Sequence, residues 1–225
     1  MIYLFEVLLE FVTVPTSQPF FFYVLSSMEI FAVIAFAVSG ITAALRAGMD
    51  FVGICFVAGV AAFGGGTIRD LLLDRRPFFW VEQDALLWMV VLICLGCSFF
   101  IRKSHVEVTE KWIQIPDAIG LGLFAALGTQ VALIEGAPVA VALLMGVISS
   151  TFGGVLRDTF CNVVPKVFAD HQPYVILALL GSVIVVCFDS LNVTAWIGLL
   201  FAVSITTVGR LVVLSFNISI PSWRT

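Results

Sequence analysis

Apolar residues fall in seven blocks, near 26–46, 51–73, 84–101, 116–134, 137–160, 173–189 and 194–216, separated by short polar or glycine- and proline-containing turns. Each block is long enough, or nearly so, for a helix to cross about 30 Å of hydrocarbon. The pattern predicts an all-α integral membrane protein of seven transmembrane helices. Residues 1–14 are apolar but too short to span, Pro15 and Pro19 then interrupt the chain, and Glu6 and Glu10 stand where a signal peptide would be basic. Residues 1–25 are therefore expected to form a peripheral or interfacial segment. The only markedly hydrophilic stretch, 102–115, holds Arg102, Lys103, His105, Glu107, Glu110 and Lys111.

The polar positions that interrupt these blocks repeat. Gly64-Gly65-Gly66-Thr67-Ile68-Arg69-Asp70 returns 88 residues later as Phe152-Gly153-Gly154-Val155-Leu156-Arg157-Asp158. In the same register, 29–77 aligns with 117–165 without a gap, pairing Phe36 with Phe124, Gly40 with Gly128, Gly48 with Gly136, Pro77 with Pro165 and Glu29 with Asp117. The chain then divides into 1–25, a first repeat over 26–101, the loop 102–115, a second repeat over 116–189, and 190–225 with the seventh helix and a tail. Three spans per repeat is an odd number, so the second copy is inverted. With the N-terminus outside, Arg46, Arg102, Lys103, Lys111, Lys166 and Arg224 fall inside, and Arg75 and Arg76 outside. That asymmetry predicts N-out, C-in.

Composition agrees: 61% of residues are hydrophobic and 12% charged, about half the charge of an ordinary soluble domain. The net charge of −4 is small and scattered, which argues against a nucleic-acid partner. Cys94 and Cys97 have redox or metal spacing but sit mid-span without a second pair, so they read as packing residues. His105 and His171 lie in loops, and neither a nucleophile elbow nor a phosphate loop is present. No metal, cofactor or enzymatic activity is expected.

The repeated motif carries the candidate chemistry. Gly64, Gly65 and Gly66, and Gly153 and Gly154, weaken a helix, and charges at membrane depth are costly. Two such breaks predict freed carbonyls lining a watery path, with close backbone packing as the plainer alternative. Thr67 in one copy, and Ser149, Ser150 and Thr151 before Phe152 in the other, add hydroxyls that either face that path or bond back to their own helix. Adjacent helical residues point about 100° apart, so Arg69 and Asp70, and Arg157 and Asp158, are expected to find partners on other helices or to snorkel. Arg210 in the seventh span lies at the depth of Asp158, and a contact between them is expected. Glu29 and Asp117 read either as helix-capping acids or as acids at a pore mouth.

These residues resemble the prokaryotic branch of the trimeric intracellular cation channels, a family that overlaps bacterial membrane proteins labelled putative glycine transporters. The resemblance runs from about Met28 to Pro221 and rests on the paired motifs, the three-three-one layout and Arg210. It implies a homotrimer with a pore in each subunit, second and fifth helices kinked at the glycines, potassium conduction and a bacterial plasma-membrane location. Phe152 departs from the full glycine triplet and either narrows the passage or packs beside it. The expected function is a monovalent cation channel, with potassium or another monovalent cation and the lipid bilayer as partners. The alternative is a secondary transporter of a small amino acid such as glycine.

Overall fold

The computed structural model describes residues 19–104, 111–169 and 172–219. Among them the chain forms nine helices and no strand: α1 (Pro19–Arg46), α2 (Phe51–Leu72), a single turn α3 (Phe79–Glu82), α4 (Ala85–Ser104), α5 (Lys111–Ile134), α6 (Val139–Phe160), a second single turn α7 (Lys166–Ala169), α8 (Tyr174–Ser190) and α9 (Ala195–Phe216). Five of these, α1, α2, α5, α6 and α9, are long and apolar enough to cross a bilayer. Two more are shorter apolar helices, Ala85–Cys97 within α4 and Tyr174–Ser190. The chain is an all-helical integral membrane protein.

Local signals set the ends. Gly48 and Gly136 both adopt φ +74 in the turns after α1 and α5, a left-handed geometry that suits glycine. The Asp50 side chain accepts the Gly53 N–H and caps α2. Asp74 and Asn162, also 88 positions apart, take φ 53 and φ 56 just past α2 and α6. The duplication thus extends to backbone conformation.

Helices α1, α2, α5 and α6 pack against one another as the centre of the molecule. Phe36 of α1 and Phe124 of α5, equivalent positions, stack at 5.6 Å. The third helix of each repeat flanks its own pair, α4 against α1 and α2, and α8 against α5 and α6. Helix α9 lies on α5 and α8 and touches α1 only slightly, so its support falls mainly on the second repeat.

Two boundaries correct the sequence-based expectation. Helix α1 begins at Pro19, not near 26, so 19–25 are helical and Glu29 is an interior residue. Helix α5 begins at Lys111, not 116, so Pro116 and Asp117 are interior too. Neither acid caps a helix. The apolar Phe20-Phe21-Phe22 and Trp112-Ile113 extend each helix beyond the polar residues that suggested an end. The expected hydrophilic loop is correspondingly short, because α4 runs to Ser104. Residues 1–18 of the proposed peripheral segment, 105–110 with His105, Glu107 and Glu110, His171, and Arg224 lie outside the described residues.

Candidate functional site

Each repeat buries one arginine among acids. In the first, Arg69 Nε donates to Asp70 Oδ1 at 2.8 Å, and Nη2 lies 2.7 Å from the same oxygen and 3.5 Å from Glu29. In the second, Arg157 Nε donates to Asp158 Oδ1 at 2.8 Å, and Nη1 reaches both Asp117 Oδ1 and Ser39 Oγ at 2.6 Å. All four of the paired motif charges are buried. Snorkelling is therefore excluded for the two arginines. The expectation that adjacent residues would not bridge is also corrected: each arginine curls onto its own neighbouring aspartate and reaches an acid on another helix as well. A buried guanidinium needs that much compensation, because its desolvation penalty is several kcal/mol.

The second oxygen of each aspartate holds the chain beyond its helix. Asp70 Oδ2 accepts the Phe79 N–H at 3.0 Å, and Asp158 Oδ2 accepts the Lys166 N–H at 3.1 Å. Each motif thereby pins the short helix after it. In the first repeat Trp80 Nε1 donates to Thr67 Oγ1 at 3.0 Å and Gln83 Nε2 to Glu29 Oε2 at 3.2 Å.

Ser39 has a double task. Pro116 has no N–H, which leaves acceptors free one turn back in α5. Ser39 donates to Ile113 O at 3.0 Å and Thr42 to Trp112 O at 3.4 Å, covering that gap from α1. The Ser39 oxygen then accepts from Arg157.

Arg210 joins the second cluster by a route the sequence did not suggest. It donates to Gln172 Oε1 at 2.6 Å and lies 4.8 Å over the Tyr174 ring, whose hydroxyl donates to Asp117 Oδ2 at 2.9 Å. Helix α9 thus reaches the site through Tyr174 and Asp117. Tyr174, Gln172, Gln83 and the role of Ser39 were not legible as site features. The available signal was a set of mismatches in the repeat: Leu127 stands opposite Ser39, and Leu86 opposite Tyr174.

The glycines do not break their helices. Helix α2 is continuous α-helix through Gly64, Gly65 and Gly66, and α6 through Phe152, Gly153 and Gly154. In lipid an unwound segment has no water to satisfy it, so the backbone keeps its internal bonds despite poor propensity. What glycine provides is close approach. A Cβ on Gly65 would strike the Ser149 carbonyl oxygen, and one on Gly153 would strike the Ala61 carbonyl oxygen, a reciprocal pair related by the 88-residue register. Gly66 accommodates the Phe79 ring, and Gly64 faces Leu156. Phe152 is half-buried beside this contact. The hydroxyls mostly bond back: Thr67 to Phe63 O, Ser150 to Gly146 O and Thr151 to Val147 O.

Two cavities open at the ends of this core. One of about 390 Å³ reaches Glu29 and is lined by Leu25, Arg75, Glu82, Gln83, Val131, Ile134 and Glu135, among others. The other, of about 280 Å³, reaches Asp158 and is lined by Ala43, Arg46, Ala47, Ile113, Val163 and Lys166. Five lining positions correspond between them in the 88-residue register, so these are the same cavity seen from each repeat. Their charges differ: three glutamates and one arginine at the first, Arg46, Lys166 and Asp158 at the second. Cys161 also lines the second, where burial pushes its thiol up.

The family model described as glycine transporter matches residues 26–103 and again 114–190, two matches that begin 88 residues apart. A UPF0126 membrane protein of Vibrio cholerae is 31% identical over 197 residues, covering 87% of this chain and 81% of that one. The UPF0126 inner membrane protein YadS of Escherichia coli is 34% identical over 128 residues, 56% of this chain and 61% of that protein. The crystal structure of the trimeric intracellular cation channel orthologue from Rhodobacter sphaeroides superposes with a TM-score of 0.81 at 33% identity, covering 87% of this chain and 99% of that one.

Proposed function

This chain belongs to the glycine transporter family of membrane proteins and is similar to a trimeric intracellular cation channel orthologue, and from that kinship we propose that it conducts monovalent cations, potassium above all. The working unit is a homotrimer in the bacterial inner membrane, with a path through each subunit. Seven helices span the bilayer, α1, α2, α4, α5, α6, α8 and α9, with the N-terminus outside and the C-terminus inside. The Glu29 cavity is then the outer mouth and the Asp158 cavity the inner one.

The observation that carries this reading is the paired cluster lying between two equivalent cavities. Each arginine is flanked by two carboxylates, Glu29 and Asp70 or Asp117 and Asp158. Glu29 lines the first cavity and Asp158 the second, so a cation entering from either side meets a carboxylate on its way to the centre. Helices α2 and α6 line the path at Gly64, Gly65 and Gly66 and at Gly153 and Gly154, where backbone approach is closest. Thr67, Ser149, Ser150, Thr151 and Phe152 lie along it. A slight separation of α2 from α6 at the glycines joins the two mouths.

The description of the matching family supports a second reading, carriage of a small amino acid such as glycine. Carriers of inverted-repeat type use discontinuous helices whose half-helix N-termini meet the substrate carboxylate. The continuity of α2 and α6 favours the channel. Purified protein in planar bilayers decides between them. Unitary currents reversing near the potassium equilibrium potential are expected. Saturable glycine uptake into liposomes, without unitary currents, would replace the channel by the carrier.

A further inference from the structure

The two arginine clusters share a register but not a set of partners. Arg157 Nη1 alone holds Asp117 and Ser39, and Asp117 is held in turn by Tyr174, which lies under Arg210. This chain of contacts ties the second cluster to α9, which has no counterpart in the first repeat. At the equivalent places around Arg69 stand Leu127 for Ser39 and Leu86 for Tyr174, both buried and without a hydroxyl. Arg69 Nη1 accordingly has no hydrogen-bond acceptor among the described residues, and Nη2 makes ion pairs without hydrogen-bond geometry. Arg69 is nonetheless 0% exposed.

A fully bonded buried guanidinium loses several short bonds when it moves. One with unmet N–H groups loses little and gains from any new acceptor. We propose that Tyr174 and Arg210 are positioning residues that hold the second-repeat wall of the path fixed, and that the first-repeat wall, around Arg69, is the part that rearranges on opening. The proposal rests on the channel reading above. Helix α3 would move together with Arg69. Helix α3 is a single turn, fastened by the bonds from Phe79 to Asp70, Trp80 to Thr67 and Gln83 to Glu29.

The test uses variants that differ by one hydroxyl, in the full-length protein. Tyr174→Phe and Ser39→Ala each remove one bond from the second cluster, and Leu127→Ser supplies the hydroxyl that Arg69 lacks. In planar bilayers with KCl the first two are expected to raise the open probability roughly three- to tenfold, the population ratio set by one buried hydrogen bond, and Leu127→Ser to lower it by a similar factor. Arg210→Lys, which keeps the charge, should restore more of the wild-type open probability than Arg210→Ala. Hydrogen exchange gives an independent reading that needs no current. The end of α2 and α3 should exchange faster than the end of α6 in wild-type protein, and Tyr174→Phe should narrow that difference. If both ends exchange alike and no single-hydroxyl variant moves the open probability, the division into fixed and moving walls is wrong. If wild-type protein exchanges as expected but carries no current, the channel reading fails and the asymmetry of the two halves stands.

Discussion

A guanidinium at membrane depth survives only when its neighbours compensate it, and the two arginines here do so unequally. Asp117 meets Arg157 at 2.6 Å and also receives Tyr174, whereas Glu29 stands 3.5 Å from Arg69. Asp117→Ala should therefore cost about 3–5 kcal/mol, the range for removing one member of a buried pair. Glu29→Ala should cost less, because Arg69 keeps Asp70, and what is lost is the longer Arg69 contact and the 3.2 Å hydrogen bond from Gln83. Thermal unfolding of the detergent-solubilised protein compares the two; equal losses would mean that the asymmetry has no energetic weight. The arginines and their neighbouring aspartates were legible in the sequence because duplication of an expensive residue is conspicuous. Tyr174 and Ser39 were not, since a tyrosine near a span end and a serine within a span are ordinary in membrane helices. Only their pairing with leucines across the repeat sets them apart.

The glycine helices show how a sound propensity argument meets a different solvent. Three successive glycines in water favour unwinding, but in lipid the backbone has no other partner, and α2 runs unbroken from Phe51 to Leu72. The glycines then act by what they lack. Gly65→Ala places a methyl group against the Ser149 carbonyl and Gly153→Ala one against the Ala61 carbonyl. Each should destabilise by about 1–3 kcal/mol, the usual cost of overpacking, and should reduce current by forcing α2 and α6 apart in the wrong place. Gly59→Ala, on the same helix with nothing within 4 Å of the added methyl, serves as the control and should be neutral or slightly stabilising. If Gly59→Ala proves as damaging as Gly65→Ala, close approach is not the reason for the glycine. The helix starts were misread for a related reason. Ser26-Ser27-Met28-Glu29 and Pro116-Asp117 have the chemistry of helix N-termini, yet both acids are spent on arginines of other helices, and Thr42 and Ser39 cover the carbonyls near Pro116.

At the scale of the molecule, the duplicated register produces two equivalent cavities of unlike charge. Glu82 and Glu135 stand with Glu29 and Arg75 at one, while Arg46 and Lys166 occupy the other. The apolar blocks and the 88-residue register were enough to anticipate an all-helical membrane protein and the packing of α1 on α5 and α2 on α6, because both follow from hydrophobic length and from residues no plain span would keep. The contrast between the mouths was not, since it depends on which loop side chains turn inward. Its consequence is measurable. Carboxylates at a mouth raise the local cation concentration over a Debye length, about 10 Å at 0.1 M salt and 3 Å at 1 M. Glu82→Gln combined with Glu135→Gln should therefore lower the unitary potassium current strongly in dilute KCl and little at about 1 M. The loss should be larger for ions entering from the Glu29 side than for ions entering past Lys166, which makes the current rectify. A reduction equal at both salt concentrations and in both directions would mean that these glutamates support the fold of the mouth and do not gather ions there.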